Sequence, residues 1–156
     1  MLEIQIPGAK TLKLSHLVLD YNGTLARDGM LLPGLRERLK LLAPQLLLHV
    51  VTADTFGQAQ KQLRGIACEL SILDAEHQAK AKVAYVERLG VETTVCIGNG
   101  RNDLLMLEAA ALGIAVIQQE GAATAAVLAA DIVATSIHDA LDLLANSMRL
   151  IATLRG

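Results

Sequence analysis

The spacing of hydrophobic and polar residues changes along this chain. Leu2-Glu3-Ile4-Gln5-Ile6 alternates as a half-buried strand, Pro7 to Lys10 reads as a turn, and Thr11 to Leu14 can return antiparallel. Residues 1–14 are therefore expected to form a small N-terminal β-hairpin at the sheet edge. Beyond it, short apolar runs alternate with amphipathic stretches. Leu17 to Asp20, Leu46 to Val51, Thr93 to Ile97, Ile114 to Ile117 and Ile132 to Ala134 read as strands, with Ala67 to Leu73 a less regular one. Continuous apolar runs suit parallel strands covered on both faces. Helices are expected from Pro33 to Pro44 (Leu35, Leu39 and Leu42 on one face), Thr55 to Arg64, Glu76 to Leu89, Asn102 to Leu112, Ala122 to Ala129 and Ser136 to Leu154. Gly65, Gly90 and Gly113 are expected to close three of them. This alternation predicts an α/β fold: a three-layer, doubly wound parallel sheet in a single domain over 1–156.

Composition narrows the function. The 156 residues are 53% apolar, yet include one Phe, two Tyr and no Trp. The aromatic platforms used for nucleic-acid stacking are nearly absent, and a net charge of −2 leaves no basic footprint, so no nucleic-acid partner is expected. Cys68 and Cys96 stand apart as small apolar residues of a reduced compartment. No signal pattern opens the chain and no run reaches membrane-spanning length, so a cytoplasmic protein without a membrane partner is expected. The four histidines, His16, His49, His77 and His138, show no metal spacing.

The chemistry gathers at strand ends. Asp20 terminates an apolar strand and opens Tyr21-Asn22-Gly23-Thr24-Leu25. A carboxylate at the end of a buried strand is costly unless it is paired or binds a cation. Thr52-Ala53-Asp54 ends the second central strand, and Gly98-Asn99-Gly100-Arg101-Asn102-Asp103 the fourth. Open α/β sheets bind ligands beyond the carboxyl ends of their strands. Nucleophilic carboxylate, hydroxyl and second carboxylate would there make a phosphate-and-cation site, with glycines admitting backbone amides to an anion. Mg²⁺ wants a few oxygens and keeps several waters; Asp20, Asp103 and a backbone carbonyl could supply them. A positive charge to orient the phosphoryl group would come from Lys82 or Lys80.

This ordered set resembles the haloacid dehalogenase superfamily of phosphotransferases. Asp20-x-x-Gly23-Thr24 is similar to its first motif, Val51-Thr52 to its hydroxyl motif, Lys82 to its lysine and Gly98 to Asp103 to its acidic fourth motif. The resemblance covers nearly the whole chain from Leu17, and is nearest to small soluble relatives of the P-type ATPase phosphorylation domain. It implies an Mg²⁺-dependent phosphatase. Asp20 would form an aspartyl-phosphate, with Asn22, Thr52 and Lys82 as the other catalytic positions. Gly23, Thr24, Thr52, Ala53 and Lys82 would bind phosphate. Asp20, Asn22, Asn99 and Asp103 would hold the metal.

Two positions depart from the pattern. Asn22 stands where such hydrolases carry an acid/base aspartate, so turnover is expected to be slow with poor leaving groups. Asn99 replaces a fourth-motif aspartate, so the cation site loses a charge and Asp103 becomes its main fourth-motif carboxylate. Neither Leu25 to Val50 nor Thr55 to Lys82 has room for a cap domain. An uncapped site suits a phosphorylated macromolecule, or cover by a second copy of the chain in a homo-oligomer. The alternative is a catalytically degenerate module that binds phosphate, metal or a partner protein. A receiver domain ranks lower, because the first strand offers a single Asp and the third no acceptor. No P-loop is present.

Overall fold

The computed structural model describes residues 1–156. Two short strands, β1 (Leu2–Gln5) and β2 (Thr11–Leu14), pair antiparallel. The central sheet holds β3 (His16–Asp20), β6 (Leu47–Thr52), β7 (Cys68–Ile72), β8 (Thr94–Gly98), β9 (Leu112–Val116) and β10 (Ile132–Ala134). All its pairings are parallel, and the order is β10-β9-β8-β3-β6-β7. From β3 the chain winds outward through β6 and β7, then crosses back to β8 and winds the other way. The reversal opens a crevice beside the end of β3, where doubly wound sheets take their ligands.

The two-residue period of the strands sorts the core into two faces. Leu17, Leu19, Val50, Val95 and Ile97 pack with α1 (Leu35–Leu42), α6 (Ile137–Ala145) and α7 (Ser147–Leu154) in the larger cluster. Val18, Val51 and Cys96 point the other way, toward α3 (Gln78–Leu89), α4 (Leu104–Ala109) and α5 (Thr124–Ala129). This is the three-layer doubly wound architecture the alternation predicts.

Several boundaries differ from the sequence reading. The N-terminal hairpin forms its own two-stranded sheet rather than extending the main one, and buries Ile4, Ile6, Leu12 and Leu14 in the larger core. The helix expected over 55–64 shrinks to α2 (Ala59–Gln62), since Asp54 Oδ1 accepts from the amides of Gln58 and Ala59 only after a turn through Gly57. The helix expected over 102–112 is a 3-10 turn, Arg101–Asp103, followed by α4, and Leu112 and Gly113 already belong to β9. Gly113 is small because Leu107 O presses on it, not because it caps a helix. The long terminal helix breaks at Asn146 (φ −126°, ψ 80°) into α6 and α7. A tight hairpin, β4 (Ala26–Arg27) with β5 (Met30–Leu31), follows the Asp20 loop and had no counterpart in the sequence reading. Between β3 and β6 the chain holds only that hairpin and α1; between β6 and α3, only α2 and β7. No helix is long and apolar enough to cross a membrane.

Candidate active site

The alternation of β3 decides where Asp20 points. Val18 faces α3, so Asp20, two residues on, does too. On α3, Lys82 lies on the buried stripe of Tyr85 and Val86, one turn earlier. Lys80 is exposed, so the lysine left open between these two positions is Lys82. Its ammonium donates to Asp20 Oδ1 and to Asp103 Oδ1, each at 2.7 Å, and its side chain is wholly buried.

Asp103 is held from the other side as well. Its Oδ2 accepts from the amides of Asn99 (3.0 Å) and Gly100 (2.9 Å). Gly98 has no room for a side chain, because a Cβ there would lie 2.6 Å from that same oxygen. Both oxygens of Asp103 are thus engaged in fixing Lys82 and the 98–103 loop. Asp20 Oδ2 accepts from the buried Thr24 hydroxyl at 3.1 Å. The Thr24 hydroxyl also lies 3.5 Å from Asn99 Oδ1.

Two carboxylates around one ammonium leave an unbalanced negative charge in a buried place. The Asp20 pKa is raised from 3.8 to about 6: burial raises it most, the nearby Asp103 adds to the rise, and Lys82 and the Thr24 hydroxyl oppose both. Burial pushes Lys82 down, but the pull of Asp20 and Asp103 outweighs it, and the ammonium stays charged. A buried ion cluster of this kind is costly unless fully hydrogen-bonded, as this one largely is.

Above the triad lies a cleft of about 450 Å³ whose lining includes Asp20, Asn22, Thr52, Ala53, Asn99 and Glu120. Parallel register sets Asp20 beside Val51, so Thr52 stands one residue beyond it at the rim. The Thr52 hydroxyl oxygen accepts from the Asp54 amide at 2.9 Å, which leaves its proton free to donate into the cleft. Gly23 takes φ +82°, a backbone that favours glycine. Asn22 Oδ1 is buried with no hydrogen-bond donor. The expected residues therefore converge: Asp20, Asn22, Thr52, Ala53 and Asn99 on the cleft, Lys82 and Asp103 beneath Asp20, and Thr24 against its carboxylate.

The lining offers carboxylate, amide and hydroxyl oxygens and no sulfur or imidazole, and Asn22 Oδ1 is an acceptor lacking a donor, so the set fits a hard cation such as Mg²⁺. Nowhere do three or more His, Cys, Asp or Glu side chains gather into a metal-holding cluster, so a cation here would need amide or backbone oxygens as well. The residue that sequence reasoning passed over is Glu120. It follows β9 in Gln118-Gln119-Glu120-Gly121, a polar run at a strand end, the same signal that singled out the other three loops.

No family model matches the chain. An uncharacterised protein of Methanocaldococcus jannaschii is 49% identical over 79 residues, covering 48% of this chain and 85% of its own length. Phosphoserine phosphatase SerB2 of Mycobacterium tuberculosis is 34% identical over 112 residues, which is 70% of this chain but 26% of that protein. The chain thus spans about a quarter of SerB2. Among solved structures, the cobalt-bound deoxy-D-mannose-octulosonate 8-phosphate phosphatase of Haemophilus influenzae superposes with a TM-score of 0.72 at 16% identity, covering 88% of this chain and 90% of that one. Apo phosphoserine phosphatase gives 0.66 at 15%, covering 83% and 98%. With the four motifs on the rim of one sheet, the chain shares the fold of these hydrolases and phosphatases, which include a haloacid dehalogenase family hydrolase of Streptomyces avermitilis (TM-score 0.66, 20% identity, covering 90% of this chain and 87% of that one).

Proposed function

We propose that the chain is a phosphatase that passes the phosphoryl group through Asp20. The observation that carries this reading is the Lys82 bridge, 2.7 Å to both Asp20 and Asp103, directly beneath an open polar cleft. The phosphatases among its sequence and structural relatives support it.

In the first half-reaction an Asp20 carboxylate oxygen attacks phosphorus, the bond to the leaving oxygen breaks, and an aspartyl-phosphate forms. Thr24 and Lys82 hold the carboxylate in place. The Thr52 hydroxyl and the Ala53 backbone take phosphoryl oxygens, whereas the Gly23 amide, expected to share that task, already donates to Ala26 O at 2.8 Å; Lys82 offsets the charge that develops. Asp103 acts by fixing Lys82 and the 98–103 loop, a positioning role rather than the metal role the motif implied. Asp20, Asn22 and Asn99 would hold Mg²⁺, which screens the nucleophile from the phosphate when bound. In the second half-reaction water attacks phosphorus, loses its proton to solvent, and frees Asp20 and inorganic phosphate.

Asn22 cannot give or take a proton, so the leaving oxygen departs as an anion. Aryl and acyl phosphates tolerate this; sugar-alcohol phosphates do not. The open cleft suits a phosphorylated group carried on a larger molecule. Asn22 and Asn99 also favour a second reading, a module that binds phosphate or metal and turns over poorly. Hydrolysis of an aryl phosphate with Mg²⁺ separates the two. The expected result is slow turnover by the wild type, none by Asp20→Asn, and a rise of about 10²-fold in Asn22→Asp, the lower end of what general acid–base help contributes. Equal rates for wild type and Asp20→Asn would leave the binding module.

A further inference from the structure

Glu120 has no role in the reading above, yet the fold brings it onto the site from a fourth strand end. The turn that carries it is fastened to two of the three loops of the active site, the one after Asp20 and the one at 98–103. Gln118 Nε2 donates to the carbonyls of Gly23 (3.2 Å) and Thr24 (2.9 Å), while its Oε1 accepts from the Ile137 amide. Asn99 Nδ2 donates to Gly121 O at 3.0 Å, and the Ala123 amide donates to Asn99 O at 2.8 Å. The turn itself closes through a Gln118–Gly121 bridge. Between these fastenings the Glu120 carboxylate swings over Gly23. A Cβ on Gly23 would overlap Glu120 Oε2 and lie 2.6 and 2.7 Å from Asn99 Nδ2 and Oδ1. Carboxylate and amide thus both lie against Gly23, on the same cleft as Asp20. None of the chain's ion pairs includes Glu120.

Asn99 gains a second meaning here. An aspartate at this position would set a carboxylate against Gly121 O; the amide instead donates to it and ties down the turn that presents Glu120. We infer that Glu120 is a ligand of the active-site cation, supplying from the 118–123 turn the negative charge that Asn99 lacks. This inference rests on the reading that a cation binds beside Asp20. Asp20 and Glu120 are then the two carboxylates available to it, with amide oxygens of Asn22 and Asn99 and several waters completing the shell.

Titration of the purified apo protein with Mn²⁺ or Mg²⁺ by calorimetry tests this without relying on catalysis. Glu120→Gln should weaken binding about tenfold, and Glu120→Asp, which keeps the charge but shortens the reach, should weaken it as well. Glu37→Gln, on the exposed side of α1, should bind like the wild type. Wild-type affinity in Glu120→Gln would overturn the role of Glu120 while leaving the cation site standing. Wild-type affinity in Glu120→Asp would reduce Glu120 to a distant field effect and overturn it as a ligand. A wild type that binds neither ion at millimolar concentration would remove the cation site itself, and the inference with it.

Discussion

At the scale of single residues, the candidate site buries a carboxylate whose raised pKa sets its charge against the fold. Asp20 holds its proton up to about pH 6 in the folded protein against 3.8 in the unfolded chain. Below pH 3.8 it is protonated in both states and costs nothing. As pH rises through the window from about 4 to 6, the unfolded chain ionises first, and stability is lost. Two pKa units correspond to about 3 kcal/mol, an upper figure for this position. Asn at position 20 keeps an acceptor for Lys82 and carries no charge. Asp20→Asn should therefore be about 2 kcal/mol more stable than wild type at pH 8, with the gain gone at pH 4, as read by chemical denaturation at each pH. A variant less stable at pH 8 would mean that the Lys82 ion pair outweighs burial. The sequence made Asp20, Thr52, Lys82 and Asp103 legible because each is a polar residue where the pattern demands an apolar one, or repeats a spaced motif. It left the task of Asp103 hidden. Nothing in Asn102-Asp103 tells that both oxygens are taken, one by Lys82 and one by two amides of its own loop.

At the scale of elements, strands were more legible than helices. Apolar runs placed β3, β6, β8 and β9 within two residues, since strands buried on both faces leave a continuous signature. Helix ends failed where one apolar run crosses from helix to strand. Leu104 to Val116 holds a single charge, Glu108, so the turn at Ala110-Ala111 leaves no mark. The break at Asn146 escaped for a related reason, because helical spacing continues on both sides of it. The Gln118–Ala123 turn was passed over because it matches no motif, although it is polar and ends a strand. Its rigidity rests on Gln118, whose side chain spans Gly23, Thr24 and Ile137. Gln118→Ala leaves Glu120 chemically intact but frees its turn. Cation affinity should fall severalfold in the same calorimetric titration, with little change in thermal stability. An unchanged affinity would show that Glu120 needs no such fastening.

At the scale of the whole molecule, two windings of one sheet part beside β3 and leave a polar cleft open to solvent. The insertions that would roof it are absent: a two-stranded hairpin follows the first motif and one turn of helix the second. Three loops and one helix, drawn from residues 20 to 103, meet around a single carboxylate, and a fourth loop reaches the same cleft at Glu120. The account stands on that carboxylate accepting a phosphoryl group. Incubation with a small acyl phosphate and Mg²⁺, followed by borohydride reduction and peptide mass spectrometry, reads this directly. The predicted result is conversion of residue 20 to homoserine in the wild type, with no conversion in Asp20→Asn. Labelling elsewhere in the chain, or none under conditions where phosphate is released, would contradict the account.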